Sequence, residues 1–229
     1  NTTKTSVMKK TSRMPINWAI ALFVICMSSF STTFGQTLND YRSVNSGNWN
    51  TLSTWERYNG TAWQTPTAGQ GTPTNGVNVI TIQSPNVVTV TAAVTVDQVT
   101  VNSGGKVTVN NVTLTIANGG GTDFTVDGTL EVTGGAGAIT TTGTLAFGAG
   151  GTYIHNRNGG NIPTATWNAA SNCNITGITN TVPTVGTFVQ SFGNFTWNST
   201  GQTGDISLVG NLTVVNGDFT VSSTGSGST

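Results

Sequence analysis

The residues with most chemical potential gather in one stretch, GGTYIHNRNGGNIPTATWNAASNCNITG, residues 150–177. It holds the chain's one histidine, His155, two positions before Arg157, together with Tyr153, Trp167 and Cys173. A histidine beside an arginine has the makings of a general base and an electrostatic clamp. Such a base needs a partner within hydrogen-bond reach, and no Asp or Glu lies between Glu131 and Asp205. A partner would have to come from elsewhere in the fold. Cys173 with His155 has the types of a nucleophile and its base, yet a lone cysteine is more often a small buried hydrophobe. One His and one Cys form no zinc spacing, so no metal and no cofactor is expected. Asp123, Asp127 and Glu131 are the nearest thing to the paired carboxylates of polysaccharide hydrolysis, but Asp127-Gly128 reads as a turn and the three as solvated corners. No residue is therefore assigned a catalytic role. Tyr153, His155, Arg157, Trp167 and Trp63 are the candidate ligand contacts, and residues 155–187 are expected to form a loop-rich insertion that interrupts the surrounding pattern.

That pattern is one of short strands. VVTVT (87–91), VTV (94–96 and 99–101), KVTV (106–109), VTLTI (112–116), FTV (124–126) and TLEV (129–132) alternate apolar and polar residues. Period two sends successive side chains to opposite faces of a sheet. Between these runs stand Gly, Asn, Ser and Asp, the residues of tight corners. Thr and Val abound while charged residues make up only 7% of the chain, which disfavours helices. DFTV occurs at 123–126 and again at 218–221, each near an NxT-strand segment. Self-similarity built from three- to five-residue strands and glycine corners predicts an all-β parallel β-helix, or solenoid. A β-sandwich is the alternative and requires longer strands joined by hairpins. The Thr rows of such a coil also raise ice binding, but that requires ranks of constant length, and these repeats vary.

The flanks complete the organisation. Lys9, Lys10 and Arg13 precede an apolar run, WAIALFVICM (18–27), too short to span a bilayer. TFG (33–35) then offers a small-x-small cleavage site. Residues 1–35 are read as a leader with a secretory signal peptide, to be left out of the fold. Ile25 before Cys26 stands where a lipoprotein signal wants a small residue. Residues 36–77 carry Trp49, Trp55 and Trp63 and are expected to cap the core of the first coil, with sugar stacking the alternative role for these tryptophans. The first solenoid block is 78–154 and the second 188–229. Without the leader, Arg42, Arg57, Lys106 and Arg157 face eight acidic residues, a net charge of −4. Such a surface has no phosphate-neutralising patch, which excludes a nucleic-acid partner. Cys173, then alone, has no disulfide partner within the chain.

SGNWNTLSTWE (46–56), the following Pro/Gly stretch and VNVITIQSPNVVTVT resemble the N-terminal region of large secreted proteins of Bacteroidetes, and loosely the G8 domain. The later segments GGTYIHNRNGGNIPTATWN and FGNFTWNSTGQTGDISLVGNLTVVNGDFTV resemble repeats of the same proteins. The resemblance implies a β-solenoid exported through the type IX secretion system, but implies no activity. The chain ends at SSTGSGST with no sorting domain, so it is expected to be a fragment. The expectation is a non-catalytic stalk or adhesin segment of a cell-surface protein, with extracellular glycans or other surface components as partners. The alternatives are a carbohydrate-binding module and a fragment of a polysaccharide-degrading β-helix enzyme.

Overall fold

The computed structural model describes residues 35–228. The expected signal peptide and its cleavage site fall almost wholly on residues 1–34, outside the described residues. Residues 36–229 make one compact unit, and its strands fall into coils. The opening elements are β1 (Tyr41–Ser43), β2 (Gly47–Asn48), β3 (Trp55–Tyr58) and β4 (Trp63–Gln64). Three-strand coils follow: β5 (Ile80–Ile82), β6 (Val87–Val90) and β7 (Val94–Val96); β8 (Val99–Val101), β9 (Lys106–Asn110) and β10 (Thr113–Ile116); β11 (Phe124–Val126), β12 (Thr129–Thr133) and β13 (Ala138–Thr141). Two-strand coils then succeed them: β14 (Leu145–Phe147) with β15 (Thr152–Asn156), β16 (Thr166–Trp167) with β17 (Asn172–Ile175), β18 (Ser191–Phe192) with β19 (Asn194–Asn198), and β20 (Val214–Val215) with β21 (Phe219–Ser223).

These strands stack as a parallel β-solenoid. One side runs β2-β6-β9-β12-β15-β17-β19-β21, parallel throughout. At roughly 4.8 Å per strand step, that side is about 34 Å long. A second side runs β16-β14-β11-β8-β5-β1, parallel, and ends in the antiparallel pairs β1-β3 and β3-β4. The third side, β13-β10-β7, exists only in the early coils. A sandwich would be dominated by hairpins, and here antiparallel pairing is confined to the opening.

Period two explains the core. Val88, Val107, Leu130, Tyr153, Cys173 and Phe195 form one inward column, and Val90, Val109, Val132, His155, Ile175 and Trp197 the next; all are buried. Removing each such apolar side chain from water contributes about 1.5–3 kcal/mol. Outward positions carry Thr, Asn and one ion pair, Lys106–Glu131 at 2.6 Å. Corners are tight because coils touch through backbone. A Cβ on Gly151 would lie 2.0 Å from the Val126 carbonyl oxygen, so only glycine fits there.

At the N-terminal end Trp49 and Trp55 meet edge to face at 4.9 Å, both buried. Their indole N–H groups donate to the carbonyls of Pro73 (2.9 Å) and Trp49 (2.8 Å). Both indoles join the buried core without leaving a buried donor unpaired.

Residues 155–187 do not interrupt the coil as expected. β15, β16 and β17 pair in register with their neighbours: Tyr153 opposite Cys173, His155 opposite Ile175, Phe147 opposite Trp167. What stops is the third side alone. After β13 it is built of the segments 157–165 and 176–190, the second holding a 3-10 turn at Val185–Phe188, in place of strands. Gly159 and Gly160 adopt positive φ, and Pro163 and Pro183 cannot donate to a ladder. The loops are stacked by side chain and backbone together: Asn158 Oδ1 accepts from the backbone N–H of Thr179, Asn180 and Thr181 at 2.9–3.1 Å, and Gly159 N–H donates to the Thr181 carbonyl at 2.9 Å.

Candidate functional site

His155 lies on β15, on the inward column between Val132 and Ile175. It is fully buried, and both ring nitrogens are occupied. Nε2 is 2.8 Å from the Gly159 carbonyl oxygen and Nδ1 is 3.0 Å from Tyr153 Oη. A carbonyl can only accept, so Nε2 carries the hydrogen and Nδ1 accepts from the tyrosine hydroxyl. Burial depresses the imidazole's pKa from 6.5 to about 4; the Gly159 hydrogen bond opposes this and the Arg157 charge adds to it. The ring is neutral at neutral pH and has no lone pair left for a substrate proton.

The reason for a polar pair inside the rod follows from the lost third side. Gly159 lies in the first segment that replaces a strand there, and its carbonyl accepts from the buried His155 ring. A buried carbonyl without a donor would cost about 1–3 kcal/mol. His155 supplies the donor, and Tyr153 holds the ring in the required tautomer. Burial pushes the Tyr153 hydroxyl and the Cys173 thiol well above their ordinary values, so the thiol stays protonated and unreactive in the fold.

Arg157 directs Nη1 and Nη2 to the carbonyls of Gly137 and Gly135, in the corner of the preceding coil. Its guanidinium lies against Gly160, where any Cβ would clash, and its Nε is buried without a partner. The side chain staples two coils. Trp167, 8% exposed, stacks on Phe147 at 4.2 Å and 8° and donates to Gln190 Oε1 at 3.0 Å. The structure places Tyr153, His155 and Trp167 on the buried faces of the coil and leaves Arg157 half-exposed. Burial and internal bonding take three of them out of reach, and the Arg157 donors serve the corner carbonyls.

Trp63 differs. It is half-buried on β4, at the outer edge of its sheet, 5.4 Å from the Tyr58 ring. The Arg42 guanidinium lies 4.4 Å from its centroid and is itself bonded to Glu56 through Nε (2.9 Å) and Nη2 (2.6 Å). Cross-strand pairing of Arg42 with Glu56 and of Tyr58 with Trp63 puts all four on one face. The pattern SGNWNTLSTWE did not disclose this group, because the antiparallel turn that assembles it is not encoded in the period of the later strands.

The acidic cluster disperses. Asp123, fully buried, accepts from Gly119 N (2.6 Å) and from Thr144 N and Oγ1 (2.6 and 2.9 Å). Burial alone would raise its pKa, but those hydrogen bonds lower it. Asp97, on the neighbouring coil, has its pKa raised by burial and by the nearby Asp123 carboxylate. Glu131 faces outward; burial opposes ionisation, yet Lys106 and Asn156 bring its pKa down. No three of His, Cys, Asp and Glu converge to hold a metal ion among the described residues. The outward Thr81–Thr100–Thr125 rank gives way to Ala146. No helix among the described residues is long and apolar enough to cross a membrane. No protein-family model, no curated protein and no solved structure matches this chain.

Proposed function

We propose that this chain is a rigid, non-catalytic rod segment of an exported bacterial surface protein, a stalk or adhesin piece that holds another module away from the cell. One observation supports this reading above others. The residues with chemical potential, His155, Tyr153 and Cys173, are spent on continuing the stack across the point where its third side is lost. The resemblance to secreted Bacteroidetes proteins and the basic-then-apolar leader support export, and the low charge supports a surface that is not a nucleic-acid partner. The test has two arms. Amino-terminal sequencing of secreted protein is expected to begin at Gln36, and incubation with acidic polysaccharides is expected to yield no products. Retention in the cytoplasm, or turnover, overturns the reading.

A second reading has its own observation. Trp63 and Tyr58, with the Arg42–Glu56 pair beside them, present aromatic surface and polar groups on one outer face. That combination suits stacking and hydrogen bonding to a neutral hexose. Glycan-array binding lost in Trp63→Ala would favour a carbohydrate-binding module over a passive rod.

A further inference from the structure

An asparagine followed by glycine can cyclise on itself. Glycine has no Cβ, so its backbone nitrogen reaches the preceding side-chain amide carbon without hindrance. The chain has five such steps: Asn59-Gly60, Asn75-Gly76, Asn118-Gly119, Asn158-Gly159 and Asn216-Gly217. Four of them lack any nearby proton acceptor of acidic type. Asn158 is tied down through Oδ1, which accepts from three backbone N–H groups, and through Nδ2, which donates to Asn180 and Thr181. Gly159 N–H is itself spent on the Thr181 carbonyl. Asn59 Oδ1 accepts from the N–H groups of Thr61 and Ala62. Gly217 N–H donates to the Gly193 carbonyl at 2.9 Å and Gly76 N–H to Thr74 Oγ1 at 3.4 Å. Among the described residues, none of these four glycines donates to an ionisable group.

Asn118-Gly119 is different. It lies in the corner between β10 and β11, and residues 118–122 are exposed. Gly119 N–H donates to Asp123 Oδ1 at 2.6 Å. Asp123 is buried and held by Thr144 of the next coil, whose N–H and Oγ1 donate to Oδ2 at 2.6 and 2.9 Å. The carboxylate is thus fixed on the glycine nitrogen. From the preceding coil, the Asp97 carboxyl fills the space that a Cβ on Gly119 would need. The two acids differ in strength. Burial opposes ionisation of Asp123, yet its hydrogen bonds lower the pKa, while burial and the nearby Asp123 carboxylate raise that of Asp97. Two acids pushed apart in this way give one peptide group a proton acceptor and a proton donor.

We propose that the fold promotes self-modification at Asn118-Gly119, the Gly119 nitrogen closing on the Asn118 side chain to a succinimide that water opens to aspartate or isoaspartate. As the nitrogen bonds to Asn118 Cγ, its proton passes to Asp123. The Cγ–Nδ2 bond then breaks, the amide nitrogen leaves as ammonia with a proton from Asp97, and Asp123 passes its proton back to Asp97. Water adds across one imide carbonyl, so the net change is amide plus water to carboxylic acid plus ammonia. The corner gains a negative charge and, in the isoaspartyl form, a main-chain methylene. The test incubates the full chain near neutral pH, folded in buffer and unfolded in guanidinium, and follows all five Asn-Gly steps by peptide mass spectrometry. Asn118 is expected to convert about tenfold faster folded than unfolded, less than a base matched to the working pH would give, because Asp123 is a weak base. Asn158 and Asn216 are expected to convert more slowly when folded, since carbonyls hold their glycine nitrogens. Asp123→Asn, checked for folding by circular dichroism, is expected to remove the advantage at Asn118 alone. Equal or slower conversion of Asn118 in the folded chain, or an unchanged advantage in folded Asp123→Asn, would overturn the proposal. Should the variant not fold, the folded-to-unfolded ratio of the unaltered chain decides.

Discussion

Lowering the pH is the sharpest perturbation of the internal His155 network. The folded chain holds the imidazole neutral until about pH 4, whereas an unfolded histidine takes up its proton near 6.5. Between those values the unfolded state binds more protons, so stability is complete above about pH 6.5 and falls as pH drops towards 4. A shift of about 2.5 units at 1.36 kcal/mol each is worth roughly 3 kcal/mol in all, and about 2 kcal/mol of that is lost by pH 5. The structural origin is specific. A proton on Nδ1 forces the Tyr153 hydroxyl to turn from donor to acceptor and places a buried cation near Arg157. Urea unfolding followed by tryptophan fluorescence at pH 7 and pH 5 measures the loss. Because the chain has one histidine, the same comparison in His155→Gln isolates its share; the carboxylates contribute equally to both proteins. The raised pKa of Asp97 acts in the opposite direction, with stability lost as pH rises through it, and it cancels in the difference. An equal pH dependence in the variant, or an imidazole NMR resonance that titrates near 6.5, would refute the reasoning.

Four further outcomes follow from the same geometry. His155→Val, which matches the residue type below it in the column but leaves the Gly159 carbonyl and Tyr153 hydroxyl unpartnered, is expected to cost about 2–4 kcal/mol in urea unfolding; Tyr153→Phe is expected to cost about 1 kcal/mol. Cys173, buried and with its thiol pKa raised, is expected to resist a thiol reagent in the native chain and to react at once in denaturant. Gly151→Ala, whose new Cβ meets the Val126 carbonyl, is expected to lower stability by about 2–3 kcal/mol through overpacking, read as a shift of the unfolding midpoint.

The early coils were legible in the sequence because their strands are regular. VVTVT, KVTV and TLEV put Val88, Val90, Val107, Val109, Leu130 and Val132 inward, as alternation demands. The DFTV repeat misled in detail. Phe124 belongs to the β5-β8-β11 side and is buried, whereas Phe219 lies on the β19-β21 side and is exposed. Four residues of likeness fix a strand, but not which side of the coil it occupies, because corner lengths vary. The misreading of 155–187 has a similar cause. Its Gly pair and prolines do disrupt one side, but TYIHN and NCNI keep period two. Their alternation was hidden because the inward members are Tyr, His and Cys in place of Val. Polar atoms on an inward column are legible only once the carbonyl they serve, here that of Gly159, has been placed by the loop.

Amide hydrogen exchange across β15 and β17 tests the central claim most directly, that the solenoid runs unbroken through the segment with the greatest chemical potential. The amides of the Tyr153–Cys173 and His155–Ile175 rungs are expected to be as strongly protected as those of β9 and β12. Exchange of Tyr153, His155, Cys173 and Ile175 at the rate of exposed loops, while β9 and β12 stay protected, would contradict it.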